Sequence, residues 1–228
     1  MKDILSIYQK CFDNLIHIYS KDDFYDEIKK AKIIFNESWG KIVENDPNYE
    51  ARLHHFFDWY LFERELTHIK DIPINHFIET VDIFDEEEKE IYLSMAKSLH
   101  SIFLINKISK KHLVLSDLFD KKGYQLQSCD FKMIFEPNSI IDGRLIITRA
   151  GIVLSNGFCL HPLGTTSYIK KQVAQVRKVK APLKEKKILL YELMKKLIRM
   201  YNLHLVYKHV DIGQVYSNNP IFSDIKNK

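Results

Sequence analysis

The sequence predicts an α+β fold: an acidic N-terminal helical domain, a small antiparallel β barrel or sheet, and a basic helical closing segment. Three observations predict it. Apolar residues recur three or four apart as far as Phe103 and alternate in short runs beyond it. Turn-forming residues then crowd between those runs. Charge also changes sign along the chain: residues 1–100 carry 12 Lys/Arg against 21 Asp/Glu, net −9, whereas residues 169–208 carry 12 against 2, net +10. Such a split points either to mutual docking or to a basic surface with an acidic partner. The domains are placed at 1–107, 108–163 and 164–228.

The first helix is read over Asp3–Tyr19, with Ile4, Tyr8, Cys11, Leu15 and Ile18 as its stripe and Asp3 as N-cap. After the polar turn Ser20–Asp23, a second stripe runs through Phe24, Ile28, Ala31, Phe35 and Trp39 to Ile42 or Val43, past Gly40. Asn45-Asp46-Pro47-Asn48 breaks the chain, because Pro47 disfavours helix at Asp46. The stretch Arg52–Glu65, RLHHFFDWYLFERE, follows, and the chain is read as organised around it. Leu53, Phe56, Phe57, Tyr60 and Leu61 form one stripe, and Trp59 and Phe62 widen it almost to the full circumference. A helix apolar nearly all round is a buried post. Trp59 should therefore be among the most buried side chains, and Arg52, Asp58, Glu63, Arg64 and Glu65 must find partners at the edges of the helix. Pro73 opens a short helix carrying Ile74, Phe77, Ile78 and Val81. Asp85 caps a fifth, with Glu86, Glu87 and Glu88 in its first turn and a stripe of Ile91, Met95, Leu99 and Ile102 or Phe103. No strand is expected within residues 1–105.

Short strands are expected at His112–Leu118, Tyr124–Ser128, Arg144–Thr148, Ile152–Ser155 and Phe158–Leu160. Lys121-Lys122-Gly123, Pro137-Asn138, Asp142-Gly143, Ala150-Gly151 and Asn156-Gly157 separate them, and Asn156-Gly157 is the strongest hairpin signal. Thr165 or Thr166 caps a helix to Ala181, Pro182 interrupts it, and a long helix runs over Leu183–Tyr201. Leu203–Tyr207 reads as a final strand, and the tail from Ser217 as frayed.

Composition narrows the function classes. Apolar residues make up 46% of the 228, ample for a core, and no apolar run approaches the ~18 residues needed to cross a membrane. The opening MKDILSIYQKC lacks the apolar run of a signal peptide. Cys11, Cys129 and Cys159 are odd in number and far apart, which suits free thiols in a reducing cytoplasm. GxxxxGK[ST], GxGxxG and GxSxG do not occur. The expectation is a cytoplasmic protein with no cofactor and no membrane association, of a non-enzymatic kind.

WYLFER at residues 59–64, followed by Ile72-Pro73 and Phe77-Ile78, resembles a pattern in uncharacterised bacterial proteins. That pattern is a Trp, a hydrophobic pair, Phe, an acidic residue and Arg or Tyr, then a Thr-Pro-led helix, where this chain has Ile72 in place of the Thr. In the resembling proteins a β segment like residues 113–119 and 140–146 follows, and some end in a zinc-binding SEC-C tail, whose cysteine cluster does not occur in this sequence. The resemblance implies the architecture over about residues 50–160 and a bacterial origin, and it implies no activity.

Four constellations carry chemistry. His54 and Asp58, four apart beside His55, have the spacing of two helical metal ligands, with His68 or Glu63 as further ligands. An edge-hydrogen-bonded histidine pair explains the same residues more simply. Cys159 and His161 alternate on one strand face, with Cys129 as a third member, though lone cysteines are commonly core. Arg199 and His204 have the Arg-x4-His spacing that resembles HEPN ribonucleases, in which Arg and His would flank a scissile phosphate across a dimer. An ordinary helix end, with His204 near the favourable C-terminal dipole, explains them more simply.

The basic run is the most substantial feature. Lys178, Lys180, Lys186, Lys187 and Lys195 are its candidate nucleic-acid-binding members, able to neutralise phosphates of RNA or DNA. The few tyrosines there leave little for base stacking. The leading expectation is an interaction or regulatory module for an unknown protein partner, next an accessory protein binding RNA or DNA without sequence preference, and third a ribonuclease. A free basic face separates the second from the first.

Overall fold

A computed structural model describes residues 3–42, 48–109, 112–127 and 134–218. The fold is α+β. Five helices come first: α1 (Ile4–Tyr19), α2 (Tyr25–Trp39), α3 (Tyr49–Phe62), α4 (Pro73–Thr80) and α5 (Glu86–Ala96). Strands β1 (Leu99–Ile108), β2 (His112–Asp117), β3 (Gly123–Gln127), β4 (Ile140–Ile147), β5 (Ile152–Leu154) and β6 (Cys159–His161) follow. Helices α6 (Thr166–Lys178), α7 (Leu183–Val206) and α8 (Ile212–Val215) close the described chain.

The starts of α1, α4 and α5 obey their signals, whereas Thr165, at the N-cap of α6, makes no side-chain capping bond and donates its hydroxyl to the Pro162 carbonyl instead. The Asp3 side chain accepts from the Leu5 N–H, the Asp85 side chain accepts from the N–H groups of Glu87 and Glu88, and Pro73 occupies the first turn of α4. Helix α2 stops at Trp39 rather than running on to Ile42. Gly40, at φ 91°, provides the left-handed residue that ends a helix. Val43 and the Asn45-Asp46-Pro47 break lie outside the described residues.

The chain divides into two units. The first comprises Met1–Phe35, Ile42–His100 and Gly143–Phe158. Here α1 packs on α3, α4 and α5, and Tyr8, Phe12, Leu15, Phe35, Phe56, Tyr60 and Leu61 fill the core. Helix α3 is the post its composition predicts: eight of its residues are buried, including Arg52, His55 and Asp58. Trp59 is 8% exposed, against 0% for Tyr60 and Leu61, so it is buried at the margin of the post rather than at its centre. The second unit comprises Asn36–Lys41, Ser101–Asp142 and Cys159–Lys228. Its core joins Phe103, Ile105 and Leu115 of the strands with Ile169, Val173, Leu193, Met194 and Leu197 of the helices.

The strands hydrogen-bond in the order β3-β2-β1-β4-β5, with β6 also on β4, and the β1–β2, β2–β3, β4–β5 and β4–β6 pairs are antiparallel. This is a sheet with β3 and β5 at the ends of its path. Three expectations fail here. First, residues 1–105 do contain a strand: α5 ends at Ala96 and β1 begins at Leu99. Leu99, Ile102 and Phe103 fit a helical stripe by spacing, yet Ile102, Phe103 and Ile105 are buried along a strand. Second, Leu203–Tyr207 is not a strand, because α7 carries through to Val206. Helix α6 also stops at Lys178, short of Ala181.

Third, Asn156-Gly157 is not a hairpin turn. The hairpin turn between β4 and β5 lies at Thr148–Gly151, where the Thr148 N–H donates to the Gly151 carbonyl at 2.9 Å. β5 pairs Leu145↔Leu154, and β6 pairs Asp142↔Cys159 on the same strand. Residues Ser155–Phe158 are therefore a bulge along one edge of β4, and the Ser155 N–H still donates to the Arg144 carbonyl.

Candidate functional site

Two places concentrate chemistry, one in each unit. In the first unit the bulge after β5 meets α3. A Cβ on Gly157 would lie 2.5 Å from Asp58 Oδ2, 2.8 Å from the His55 nitrogen and 2.9 Å from the His54 carbonyl carbon, so glycine is required by close approach. That approach carries the Ser155 hydroxyl to Asp58, to which it donates at 2.5 Å. Tyr8 is buried beside the pair, and burial, then the Asp58 charge, hold its phenol well above the ordinary range. Burial pushes Asp58 up to about 6, partly offset by the Arg144 charge and the Ser155 hydrogen bond.

A second layer surrounds this pair. Glu63, at the end of α3, accepts from His100 Nδ1 at 2.7 Å and from Arg144 Nη2. Arg144 also donates to Ser98 Oγ at 3.0 Å and lies over the Phe62 ring. Arg52 stacks over Phe35 and reaches His55 Nδ1 at 3.4 Å. His55 is held well below its ordinary pKa by burial and then by the Arg52 charge. Arg64 pairs with Glu27 at 2.5 Å, and Glu27 also accepts from the Thr67 hydroxyl at 2.8 Å. Arg52, Asp58, Glu63 and Arg64 thus find the partners their burial demands, whereas Glu65 is exposed. Ser155 is 0% exposed and Asp58 2%, so neither reaches a substrate in solvent, and the cluster ties a strand bulge to a helix.

His54 stacks on Phe12, half-buried, while Asp58 belongs to Ser155. Among the described residues no three His, Cys, Asp or Glu side chains converge as metal ligands. In the second unit, Cys159 is half-buried, and His161 is buried with its Nδ1 3.0 Å from the Tyr216 hydroxyl. Burial lowers His161 to about 4. Cys129 lies outside the described residues. Arg199 and His204 both stand on α7, the first exposed and the second half-buried. Five residues apart, they leave the helix about 140° from each other.

The basic place is the closed end of the α6–α7 pair. Residues 177–187 hold six cations, Arg177, Lys178, Lys180, Lys184, Lys186 and Lys187, against the single acid Glu185. Ile169 and Val173 of α6 and Leu190, Leu193 and Leu197 of α7 face inward, which leaves the cations outside. Lys178, Lys180 and Lys187 are exposed, as are Arg177 and Lys184. Lys186 is half-buried and gives its ammonium to the Arg177 carbonyl at 3.0 Å. Lys195 lies along α7, bonded to Glu192 at 2.8 Å and over the Tyr191 ring. The five lysines singled out in the sequence thus divide into three exposed and two engaged. Three acids of α5 are engaged within the first unit, Glu86 by Lys89, Glu88 by Lys10, and Glu90 by the Arg149 N–H, while Glu87 is exposed.

Sequence reasoning missed Glu63, His100, Arg144 and Ser155 as a group. One signal was available: Arg144 interrupts the apolar strand IIDGRLII, and a charge in a buried strand requires a partner. Which partner depends on the bulge, which sequence does not display.

Among the described residues no helix is long and apolar enough to cross a membrane. No curated protein and no solved structure matches the chain. A family model does match, over residues 2–212: the protein belongs to a family of unknown function, DUF7986.

Proposed function

We propose that this protein is a non-enzymatic, cytoplasmic binding module that takes the phosphate backbone of RNA or DNA, without sequence preference, on the closed end of the α6–α7 pair. One observation carries the reading: Arg177, Lys178, Lys180, Lys184 and Lys187 are all exposed within eleven residues, with Glu185 the sole acid among them. Cations so spaced exchange condensed counterions for phosphates. The scarcity of aromatics in the segment argues for backbone contact rather than base reading. The likeness of the Trp59–Arg64 motif to bacterial proteins with a SEC-C tail belongs to the same proposal, and it bears on architecture alone. A second reading, an acidic protein partner, is favoured by the apolar side chains Val179 and Leu183, which stand exposed among these lysines.

The test is an electrophoretic shift with random RNA and duplex DNA at ~50 mM salt, where a few phosphate contacts still register. The expected result is binding of both that weakens as salt rises. The triple charge reversal Lys178→Glu, Lys180→Glu, Lys187→Glu should reduce the log–log salt slope on duplex DNA by up to about 0.9 per lysine. Its thermal midpoint should stay put, because exposed lysines contribute little to stability. Absence of any shift, or a shift that survives the triple reversal, overturns the nucleic-acid reading and leaves the protein partner.

A further inference from the structure

The link between α4 and α5, residues 81–85, presents an apolar side chain to solvent in an unusual way. Phe84 is 89% exposed, the most exposed of the large apolar side chains named among the described residues. Val81, three residues before it, is exposed as well. Single exposed apolar residues are ordinary on protein surfaces. Two features set this one apart. The link is short and fixed at both ends: the Val81 N–H donates to the Phe77 carbonyl, and Asp85 caps α5. Phe84 is therefore held out on a short link anchored to a helix at each end, which limits the entropy lost on docking. It is also ringed by acid, with Asp82 before it and Asp85, Glu86 and Glu87 after it, all exposed.

A partner for such a knob must offer apolar area surrounded by cations. The closed end of the α6–α7 pair has that composition. Val179 and Leu183 stand exposed there, Leu183 at 62%, among Lys178, Lys180, Lys184 and Lys187. We infer that the protein self-associates head to tail, the Phe84 link of one copy docking on the α6–α7 end of a second copy. Charge complementarity selects the second copy, since one chain carries both an acid-ringed apolar knob and a lysine-ringed apolar corner. Because the two surfaces differ, the contact is heterologous and adds copies into rings or open chains rather than stopping at a symmetric dimer. Nucleic acid and the acidic link compete for the same lysines, so phosphate-backbone binding disperses the assembly.

Sedimentation velocity on the full chain, over a rising concentration series at low salt, tests this. The expected result is a weight-average mass that climbs past the dimer and falls back as salt is added. Phe84→Ala, at an exposed position that leaves folding untouched, should weaken association about tenfold or more, as loss of a central aromatic anchor does. Lys184→Glu with Lys187→Glu should do the same. Mixing these two variants should then restore a complex that stops at one copy of each, because each supplies the surface the other lacks. A protein that stays monomeric throughout, a Phe84→Ala variant that associates like the parent, or a mixture that forms no such pair overturns the inference. Phe84→Ala should still shift nucleic acid, as the parent does at protein concentrations too low for self-association and more tightly than the parent above them, so failure of either proposal is read independently of the other.

Discussion

Asp58 is a carboxylic acid buried with a serine as its direct partner, and the chemistry of that position is an argument about protons. Burial pushes its pKa up to about 6, from an ordinary 3.8. The unfolded chain therefore releases this proton at lower pH than the folded one. Between about pH 4 and 6 the folded state holds the extra proton, and stability falls as pH rises through that window. At neutral pH the charged form costs the fold on the order of 3 kcal/mol, at 1.36 kcal/mol per pKa unit. The groups facing Asp58 are Tyr8, Glu63, His100, Arg144 and Ser155, and of these the Arg144 charge opposes the shift most. The buried histidines act in the opposite sense. His55 is held well below its ordinary value and His161 falls to about 4, both chiefly by burial, so each removes stability as pH drops below 6.5. Asp58→Asn keeps an acceptor for Ser155 and removes the charge. Its denaturation free energy should hold or rise at pH 7, and its profile should lose the decline between pH 4 and 6, exposing the histidine arm alone. Urea melts at pH 4, 5, 6 and 7 check this, and a profile parallel to that of the parent would sink the assignment.

The bulge after β5 shows where element-level reading from sequence succeeds and where it stops. The helix caps at Asp3 and Asp85, the entry at Pro73 and the buried post at α3 were legible, because each rests on interactions within a few residues. Gly40 was legible as a disturbance but not as a stop, since a lone glycine inside a stripe permits both. β1 and the end of α7 were not legible: short apolar runs satisfy both periods, and the choice is made by what they pack against. Of the candidate site, the cation run was visible as composition, whereas the separation of exposed Lys178, Lys180 and Lys187 from engaged Lys186 and Lys195 required the helix pair. Asn156-Gly157 carries a hairpin signature, but its glycine serves the approach to α3. That reading has a sharp consequence. A methyl at position 157 meets backbone atoms of His54 and His55, which cannot swing aside as a side-chain tip can. Gly157→Ala should destabilise the fold by about 1–3 kcal/mol or more, as overpacking does. Gly123→Ala, whose added methyl would have only a 4.0 Å neighbour, should cost far less. A thermal melt of the two variants side by side checks the contrast, and equal midpoints would refute the close approach.

At the scale of the whole molecule, three of the five points at which the chain passes between the two units fall inside secondary structure rather than in linkers. They cross α2 between Phe35 and Asn36, β1 between His100 and Ser101, and β4 between Asp142 and Gly143. A domain boundary in an exposed linker lets each side unfold alone. A boundary inside a helix or strand does not, because melting one side strips hydrogen-bonded neighbours from an element the other side still uses. The units should therefore unfold as one cooperative transition. The chain carries its own reporters for this, since its two tryptophans fall one in each unit, both buried. Trp39 stands edge-on to Tyr191 at 5.2 Å in the second unit, and Trp59 packs on Phe35 at 5.6 Å in the first. Trp39→Phe leaves Trp59 as the sole fluorophore, and Trp59→Phe leaves Trp39. In each variant the fluorescence melt is compared with the far-ultraviolet circular dichroism of the same sample, so that the stability lost with the indole cancels. Coincident curves in both variants are expected, as for a two-state protein. A fluorescence midpoint displaced from the dichroism midpoint in either variant would mean that the shared helix and strands break at the boundary and that each unit folds on its own.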